Sequence, residues 1–341
     1  MTDLPTRPDA PAILPPDGCV QPDDGSQLAA QANENAQPAF HKIFLRPSGE
    51  LRAGWRLLIF IVIFIVFAKL ANLGLKATGY KPPKEFEFSP TFVTLGRIFT
   101  FLLIALPTYI MSKIERKPMG VYGLPARGAF GKKFWEGALW GFGSLSVLLV
   151  LMRLSGAFYF GSVALSAKDA LYYAFAWGVA FLMVGLFEEY LFRGYVQYTL
   201  ADGIGFWPAC IALSLLFAWA HKSNPGETWL GLVDVFLAGI VLGAMLLRTG
   251  NLWFPVGFHL AWDWAESYFY GVADSGMQAH GALLHPSVPT NRPWWLTGGT
   301  VGPEGSIFSC ITEILLIIFI LWRFRENRYP PQVQPALVTA A

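Results

Sequence analysis

Two adjacent acids and an arginine interrupt an apolar stretch of the chain, "GLFEEYLFRG" at residues 185–194. Glu189 and Arg193 are four residues apart with the acid first, the favourable direction for an ion pair on one helix face. Glu188 is turned about 100° away and has no local partner. A charged group in the bilayer core costs at least about 2.5–3.5 kcal/mol and normally marks function. The alternative, a solvated helix cap, does not explain the apolar turns that follow.

Two further segments carry histidines at helical spacing, "FAWAH" ending at His221 and "HLAWD" beginning at His259. Phe217 and His221 share one helix face, and so do His259 and Asp263. A carboxylate beside an imidazole can fix its orientation and tautomer or share a ligand with it. The plainer alternatives are a histidine at the water interface and a satisfied buried His–Asp pair.

The combination of Glu188, two histidines and Asp263 on separate hydrophobic segments indicates hydrolytic chemistry. A carboxylate next to two imidazoles can hold and deprotonate a water molecule, or bind a divalent metal that does so. Either arrangement suits hydrolysis of an amide. The other acids in apolar surroundings are interpreted as mostly structural: Asp234, Glu266 and Glu313.

Composition places the chain among membrane proteins. Of its 341 residues 54% are hydrophobic and 14% charged, whereas soluble domains carry about 25% charged residues. A formal net charge of +2 gives no reason to expect a nucleic-acid partner. The three cysteines are far apart, which argues against a disulfide framework and a cysteine-based zinc site.

The elements that must position these residues are transmembrane helices. A bilayer-crossing helix needs about 20 mainly apolar residues. The sequence predicts an all-α, polytopic transmembrane helix bundle of about eight spans, at 54–74, 91–112, 134–153, 171–198, 206–224, 229–248, 252–270 and 306–324. Five regions follow from this: a disordered cytoplasmic tail at 1–45, N-terminal transmembrane helices at 46–165, a catalytic core at 166–275, an outer loop and last helix at 276–328, and a C-terminal tail at 329–341.

The basic residues predict the topology. They cluster before the first span, between Lys113 and Lys133, and after the last span. The positive-inside rule puts all three clusters on the cytoplasmic side, as an even number of spans requires. We therefore expect an integral multi-pass protein of the plasma (inner) membrane with both termini cytoplasmic. The loop at 271–305 then faces outward, as a partly interfacial flap.

The segments "EEYLFR", "FAWAH" and "HLAWD" resemble, in order and spacing, the EExxxR, FxxxH and Hxxx(Asn/Asp) motifs of the CPBP family. This family of membrane-embedded endopeptidases includes the type II CAAX prenyl proteases and bacteriocin-processing or immunity (Abi-like) proteins. The resemblance covers about residues 170–270. It implies a peptide or protein substrate near the bilayer, prenylated if the reaction is of the CAAX type, and no nucleic acid.

The resemblance also implies roles for individual residues. Glu188 would activate water, His221 would help to hold it, and His259 would polarise the scissile carbonyl beside Asp263. Structural support would come from Glu189, Arg193 and Phe217. Relatives often have Asn in place of Asp263, so this acid would be protonated, orient His259 or bind metal. The cofactor stays open: a divalent metal such as zinc, held by Glu188, His221 and His259, or no metal.

Two observations leave alternatives to the protease hypothesis open. Counted from the predicted span boundaries, His221 and His259 differ in depth by about 12 Å, which helix tilt or shifted boundaries must absorb. Intramembrane acids and histidines also serve as relays in ion- or proton-coupled transporters. The other alternative function is that of a non-catalytic membrane scaffold that keeps the same fold.

Overall fold

The computed structural model describes residues 43–79 and 88–330. Within them, residues 43–52 form a small unit of their own, in which Leu45 and Leu51 pair as an antiparallel bridge around a turn at Gly49. The predicted N-terminal tail lies outside the described residues except for its last three positions. The predicted C-terminal tail lies outside the described residues from position 331 onward.

The second unit is built almost entirely from helices, as the apolar runs of the sequence predict. In chain order they are α1 Ala53–Ala77, α2 Pro90–Ile114, α3 Lys132–Leu154, α4 Ala167–Arg193, α5 Tyr195–Ile204, α6 Phe206–His221, α7 Trp229–Thr249, α8 Trp253–Asp263, α9 Trp294–Thr297 and α10 Ile307–Arg323. Short 3₁₀ helices at Met119–Tyr122 and Pro303–Gly305 complete the set, together with a π-helical stretch at Trp264–Phe269 directly after α8.

Every predicted span is helical, and the helical membrane bundle is confirmed. Five stretches of the described chain are long and apolar enough to cross a bilayer, namely α1, α2, α3, α4 with α5, and α7. The remaining predicted spans are shorter helices: α6 has 16 residues, α10 has 17, and α8 has 11 before the π-helical stretch. At 1.5 Å per residue, a 16-residue helix measures about 24 Å and falls short of the hydrocarbon core. The predicted count of about eight spans is therefore approximate.

Helix α8 is held by close backbone contacts with its neighbours. A β-carbon at Gly141 of α3 would overlap the carbonyl oxygen of Phe258, and one at Gly257 would overlap that of Phe134. On the other side, a β-carbon at Gly185 of α4 would lie 3.3 Å from the carbonyl oxygen of Val256. Small residues let apolar helices approach this closely in a membrane. The α3–α8–α4 packing fixes the helix that carries His259 and Asp263.

The predicted outer flap is a folded segment. Its strand β2, Leu284–Ser287, pairs antiparallel with β1, Tyr159–Val163, which joins α3 to α4. The Tyr268 hydroxyl and the Trp264 indole N–H donate to carbonyl oxygens near the start of α4, at 2.7 and 2.9 Å. These contacts anchor the π-helical stretch and the segment that follows it.

One residue of each basic cluster contacts the end of another helix. Arg56 at the start of α1 is buried and pairs with Glu115 after α2 at 2.6 Å and with Asp202 of α5 at 2.7 Å. The side chain of Lys133, at the start of α3, donates to the carbonyl oxygen of Thr249 at the end of α7. The backbone N–H of Arg328 donates to the carbonyl oxygen of Leu247 at 2.9 Å.

Candidate active site

One cavity of about 550 Å³ collects the predicted catalytic side chains. Glu188 of α4, His221 of α6, and His259 and Asp263 of α8 all line it. The depth difference expected from the sequence does not prevent the two histidines from lining the same cavity. Three helices distant in sequence therefore meet at one cavity.

Glu189 links two parts of this site. Its Oε1 accepts from Arg193 at 3.2 Å, which is the ion pair predicted from the spacing, and lies 2.9 Å from Nδ1 of His259. The second nitrogen of the guanidinium donates to the carbonyl oxygen of Gly239 on α7 at 3.3 Å. The Glu189 side chain is fully buried. A buried carboxylate with two charge-compatible partners orients both of them.

The partner of Glu188 is a residue that sequence reasoning missed. Arg97 of α2 lies 3.2 Å from Oε1 of Glu188, and its guanidinium carbon lies 5.1 Å above the ring of Phe187. Arg97 is the one charged residue in the predicted span 91–112, and an intramembrane arginine is itself a signal of function. Its pairing with Glu188 joins positions 91 residues apart, which spacing alone cannot reveal.

His221 has one ring nitrogen bound and one available. Its Nδ1 lies 2.8 Å from the carbonyl oxygen of Phe217, so Nδ1 carries the proton and Nε2 can accept a hydrogen bond. The two rings meet edge to face with centroids 4.6 Å apart. The guanidinium carbon of Arg193 lies 4.7 Å from the Phe217 ring centroid, which connects this motif to the buried ion pair.

The other nitrogen of His259 faces two acids. Nε2 lies 3.8 Å from Oε2 of Glu188 and 3.5 Å from Oδ2 of Asp263. Both distances exceed a normal hydrogen bond and fit a bridging water or substrate oxygen. Because Glu189 occupies Nδ1, the tautomer of His259 is set by Glu189, and Asp263 lies on the side of the ring that reaches the cavity.

More acidic side chains line the cavity than the sequence analysis predicted. Asp234 and Glu313, interpreted as structural, line it together with Asp274 and Glu304, which were not singled out. Among the described residues, the one group of His, Cys, Asp or Glu side chains with ligand atoms within 4.8 Å of one another consists of Glu266, Asp274 and Glu304. The predicted metal-binding set of Glu188, His221 and His259 is not such a group.

The arrangement combines the parts that hydrolysis of an amide requires. It offers a carboxylate as general base, an imidazole with a free acceptor nitrogen, and a second imidazole whose outward nitrogen lies between two acids. The surrounding helices supply an apolar wall that includes Phe181, Val184 and Leu191. Fold and site together define a helical, integral membrane protein with a carboxylate–imidazole centre.

Comparison with known proteins agrees with this class. Residues 170–265 match a family model described as Type II CAAX prenyl endopeptidase Rce1-like. Residues 170–265 are therefore similar to this protease family, and the resemblance noted in the sequence is confirmed over that segment. The match supports a hydrolase of the CAAX protease type that acts on peptides or proteins at the membrane. Neither the curated proteins nor the solved structures contain a match to the chain.

Proposed function

We propose that the protein is a membrane-embedded endopeptidase of the CAAX type, which removes the C-terminal tail of a prenylated protein after the modified cysteine. The observation that supports this most is the meeting of Glu188, His221, His259 and Asp263 at one cavity of about 550 Å³, inside the segment that matches the protease family. The cavity has an apolar wall for a lipid-modified peptide and acids and imidazoles for its amide bond.

The proposed reaction begins with water between Glu188 and His221. Glu188 takes a proton from the water while Nε2 of His221 accepts its second hydrogen bond, and the resulting hydroxide attacks the scissile carbonyl carbon. Arg97, 3.2 Å from Glu188, favours the ionised form of that carboxylate before the attack. The proton on Glu188 then passes to the leaving amine.

The developing oxyanion would be stabilised by His259. In its doubly protonated form, His259 donates its Nδ1–H to Glu189 and can donate its Nε2–H to an oxygen placed between Glu188 and Asp263, which lie 3.8 and 3.5 Å from Nε2. A protonated Asp263 would add a second donor, as the amide of Asn does in relatives. Glu189 keeps the imidazole in position through Nδ1, and Arg193 keeps Glu189 in position.

Cleavage of a defined peptide by the purified full chain tests the proposal. The substrate is a farnesylated peptide with a CAAX terminus, and the readout is release of the tripeptide by mass spectrometry. Glu188→Gln should abolish release, whereas Glu313→Gln, a change at another acid of the same cavity, should leave most of it. An unmodified peptide of the same sequence shows whether prenylation is required. Retained cleavage in Glu188→Gln would remove Glu188 from the mechanism.

The same variants separate the two alternative functions. A proton-coupled transporter predicts flux in proteoliposomes that depends on Glu188 without peptide cleavage. A non-catalytic scaffold predicts that Glu188→Gln changes neither cleavage nor the cellular phenotype. The CAAX-protease family match favours hydrolysis over both alternatives.

We also propose a plasma-membrane location with both termini cytoplasmic. The contacts of Arg56, Lys133 and Arg328, one residue from each basic cluster, with the ends of other helices support this orientation. Accessibility of single cysteines introduced near residues 46 and 328 to a membrane-impermeant reagent in intact cells tests it. Labelling at either position before the cells are opened contradicts a cytoplasmic location for that end. The five predicted regions of the chain stay a prediction.

A further inference from the structure

A group of three carboxylates lies outside the proposed catalytic residues. Glu266 comes from the π-helical stretch, Asp274 from the loop after it, and Glu304 from the 3₁₀ helix before α10. One carboxylate oxygen of each lies within 4.8 Å of the other two. Opposite oxygen ligands of a Ca²⁺ ion with bond lengths of about 2.3–2.6 Å are about 4.6–5.2 Å apart, so the spacing fits ligands around one ion.

The environment of Glu266 is a second observation in favour of a cation site. It is fully buried, and neither of its carboxylate oxygens has a hydrogen-bond partner. A buried carboxylate without a partner is strongly unfavourable, because desolvation is not offset by any contact. A cation among the three side chains would satisfy both oxygens of Glu266 at once.

The other two acids are held in place by neighbouring serines. The hydroxyl of Ser267 donates to Oδ2 of Asp274 at 3.1 Å. The backbone N–H and hydroxyl of Ser275 donate to Oε2 of Glu304 at 3.2 and 2.7 Å. In each case a serine orients one carboxylate oxygen. Outer hydrogen bonds of this kind fix the ligands of metal sites.

The charge around the adjoining cavity also requires compensation. Six carboxyl groups line it, from Glu188, Asp234, Asp263, Asp274, Glu304 and Glu313. Among the described lining residues the permanent cation is Arg97, which pairs with Glu188. So many carboxylates cannot all be ionised in a partly enclosed site without bound cations.

We propose that Glu266, Asp274 and Glu304 bind a hard divalent cation, Ca²⁺ or Mg²⁺. All three ligands are carboxylates, and oxygen donors of this kind are preferred by these ions, whereas zinc sites in proteins are usually built with histidine or cysteine. The ion would join the end of the π-helical stretch to the turn before α10. It would thereby hold the segment 271–305 against the helix that carries Asp263. This inference does not depend on the proposed peptidase activity.

Metal content and thermal unfolding of the full-length protein in detergent test the site. Protein stripped with EDTA is dialysed against Ca²⁺, Mg²⁺ or Zn²⁺ separately, bound metal is measured by mass spectrometry, and the unfolding temperature is followed against the concentration of each ion. We expect one Ca²⁺ or Mg²⁺ per chain and a concentration-dependent rise in unfolding temperature. Glu266→Gln and Asp274→Asn should each weaken binding about tenfold or more. Asp234→Asn, at a buried acid outside the group, should bind as the unchanged protein does.

Three results would overturn the proposal. The first is unchanged protein that holds no Ca²⁺ or Mg²⁺ and shows no shift in unfolding temperature with either ion, which would mean that protons neutralise the acids. The second is binding that survives both Glu266→Gln and Asp274→Asn. The third is stoichiometric Zn²⁺ binding lost in Glu188→Gln and kept in Glu266→Gln, with no Ca²⁺ or Mg²⁺ bound. Binding of the unchanged protein is measured directly, so a variant that fails to fold does not block the test.

Discussion

Oε1 of Glu189 lies 2.9 Å from Nδ1 of His259, across the contact between α4 and α8. The same oxygen accepts from Arg193 at 3.2 Å. One buried carboxylate thus holds the imidazole of one motif and the guanidinium of another. The two adjacent glutamates are therefore different in kind: Glu189 is enclosed by its partners, and Glu188 lines the cavity.

Removal of the two glutamates should have different consequences for stability. Glu189→Ala leaves the buried Arg193 without its ion pair, and loss of one partner of a buried pair costs about 3–5 kcal/mol. Glu188→Ala leaves Arg97, whose side chain is one-third exposed and lines the cavity, so the cost should be much smaller. Chemical unfolding in detergent micelles measures both. Equal destabilisation by the two variants would contradict the enclosed position of Glu189.

Arg97 should be needed for cleavage more than for folding. Arg97→Gln removes the cation 3.2 Å from Glu188, so the carboxylate loses part of the interaction that favours its ionised form. We expect cleavage to fall about 10- to 100-fold, the size typical when a group that tunes an active-site residue is lost. Arg97→Lys keeps the charge and should recover part of the rate. If Arg97→Gln cleaves at the unchanged rate, the ion pair has no part in catalysis.

The glycine contacts between α3 and α8 should be essential for the site. A β-carbon at Gly141 meets the backbone of Phe258, next to His259, so Gly141→Ala must push the two helices apart. Overpacking of this kind costs about 1–3 kcal/mol, and the displaced imidazole should lower cleavage as well. Gly143→Ala is the matched control, since a β-carbon there meets nothing within 4 Å. Gly141→Ala should therefore unfold at a lower temperature and cleave more slowly than Gly143→Ala.

Glu227 should make stability depend on pH. Burial raises the pKa of this carboxyl group, which lies in the loop between α6 and α7, above its usual value. An acid whose pKa is higher in the folded state favours folding when protonated, so its contribution is present at low pH and is lost as pH rises through the folded pKa. Glu227→Gln should therefore unfold at a higher temperature than the unchanged protein near neutral pH.

The pH dependence provides the control for Glu227. Near pH 4 the carboxyl is largely protonated in both states and the two proteins should unfold at similar temperatures. The gap between them should open as pH increases. A gap that is constant with pH would indicate a packing effect in place of a charge effect, and a gap of opposite sign would contradict the raised pKa.

The sequence by itself determined the helical membrane class, the segments that carry the motifs, and the local pairs. Apolar runs specify helices wherever they occur, because lipid satisfies none of the backbone hydrogen bonds. Residues four apart on a helix are neighbours in any tertiary structure, so the Glu189–Arg193 pair and the Phe217–His221 contact follow from spacing alone.

Only the tertiary structure decided the partners that come from distant parts of the chain. Arg97 with Glu188, Glu189 with His259, and the carboxylates of Glu266, Asp274 and Glu304 are brought together by the packing of whole helices and loops. Helical periodicity carries no information about which helix a face will meet. That choice depends on close backbone contacts such as those at Gly141 and Gly185, which exist only once the bundle is assembled.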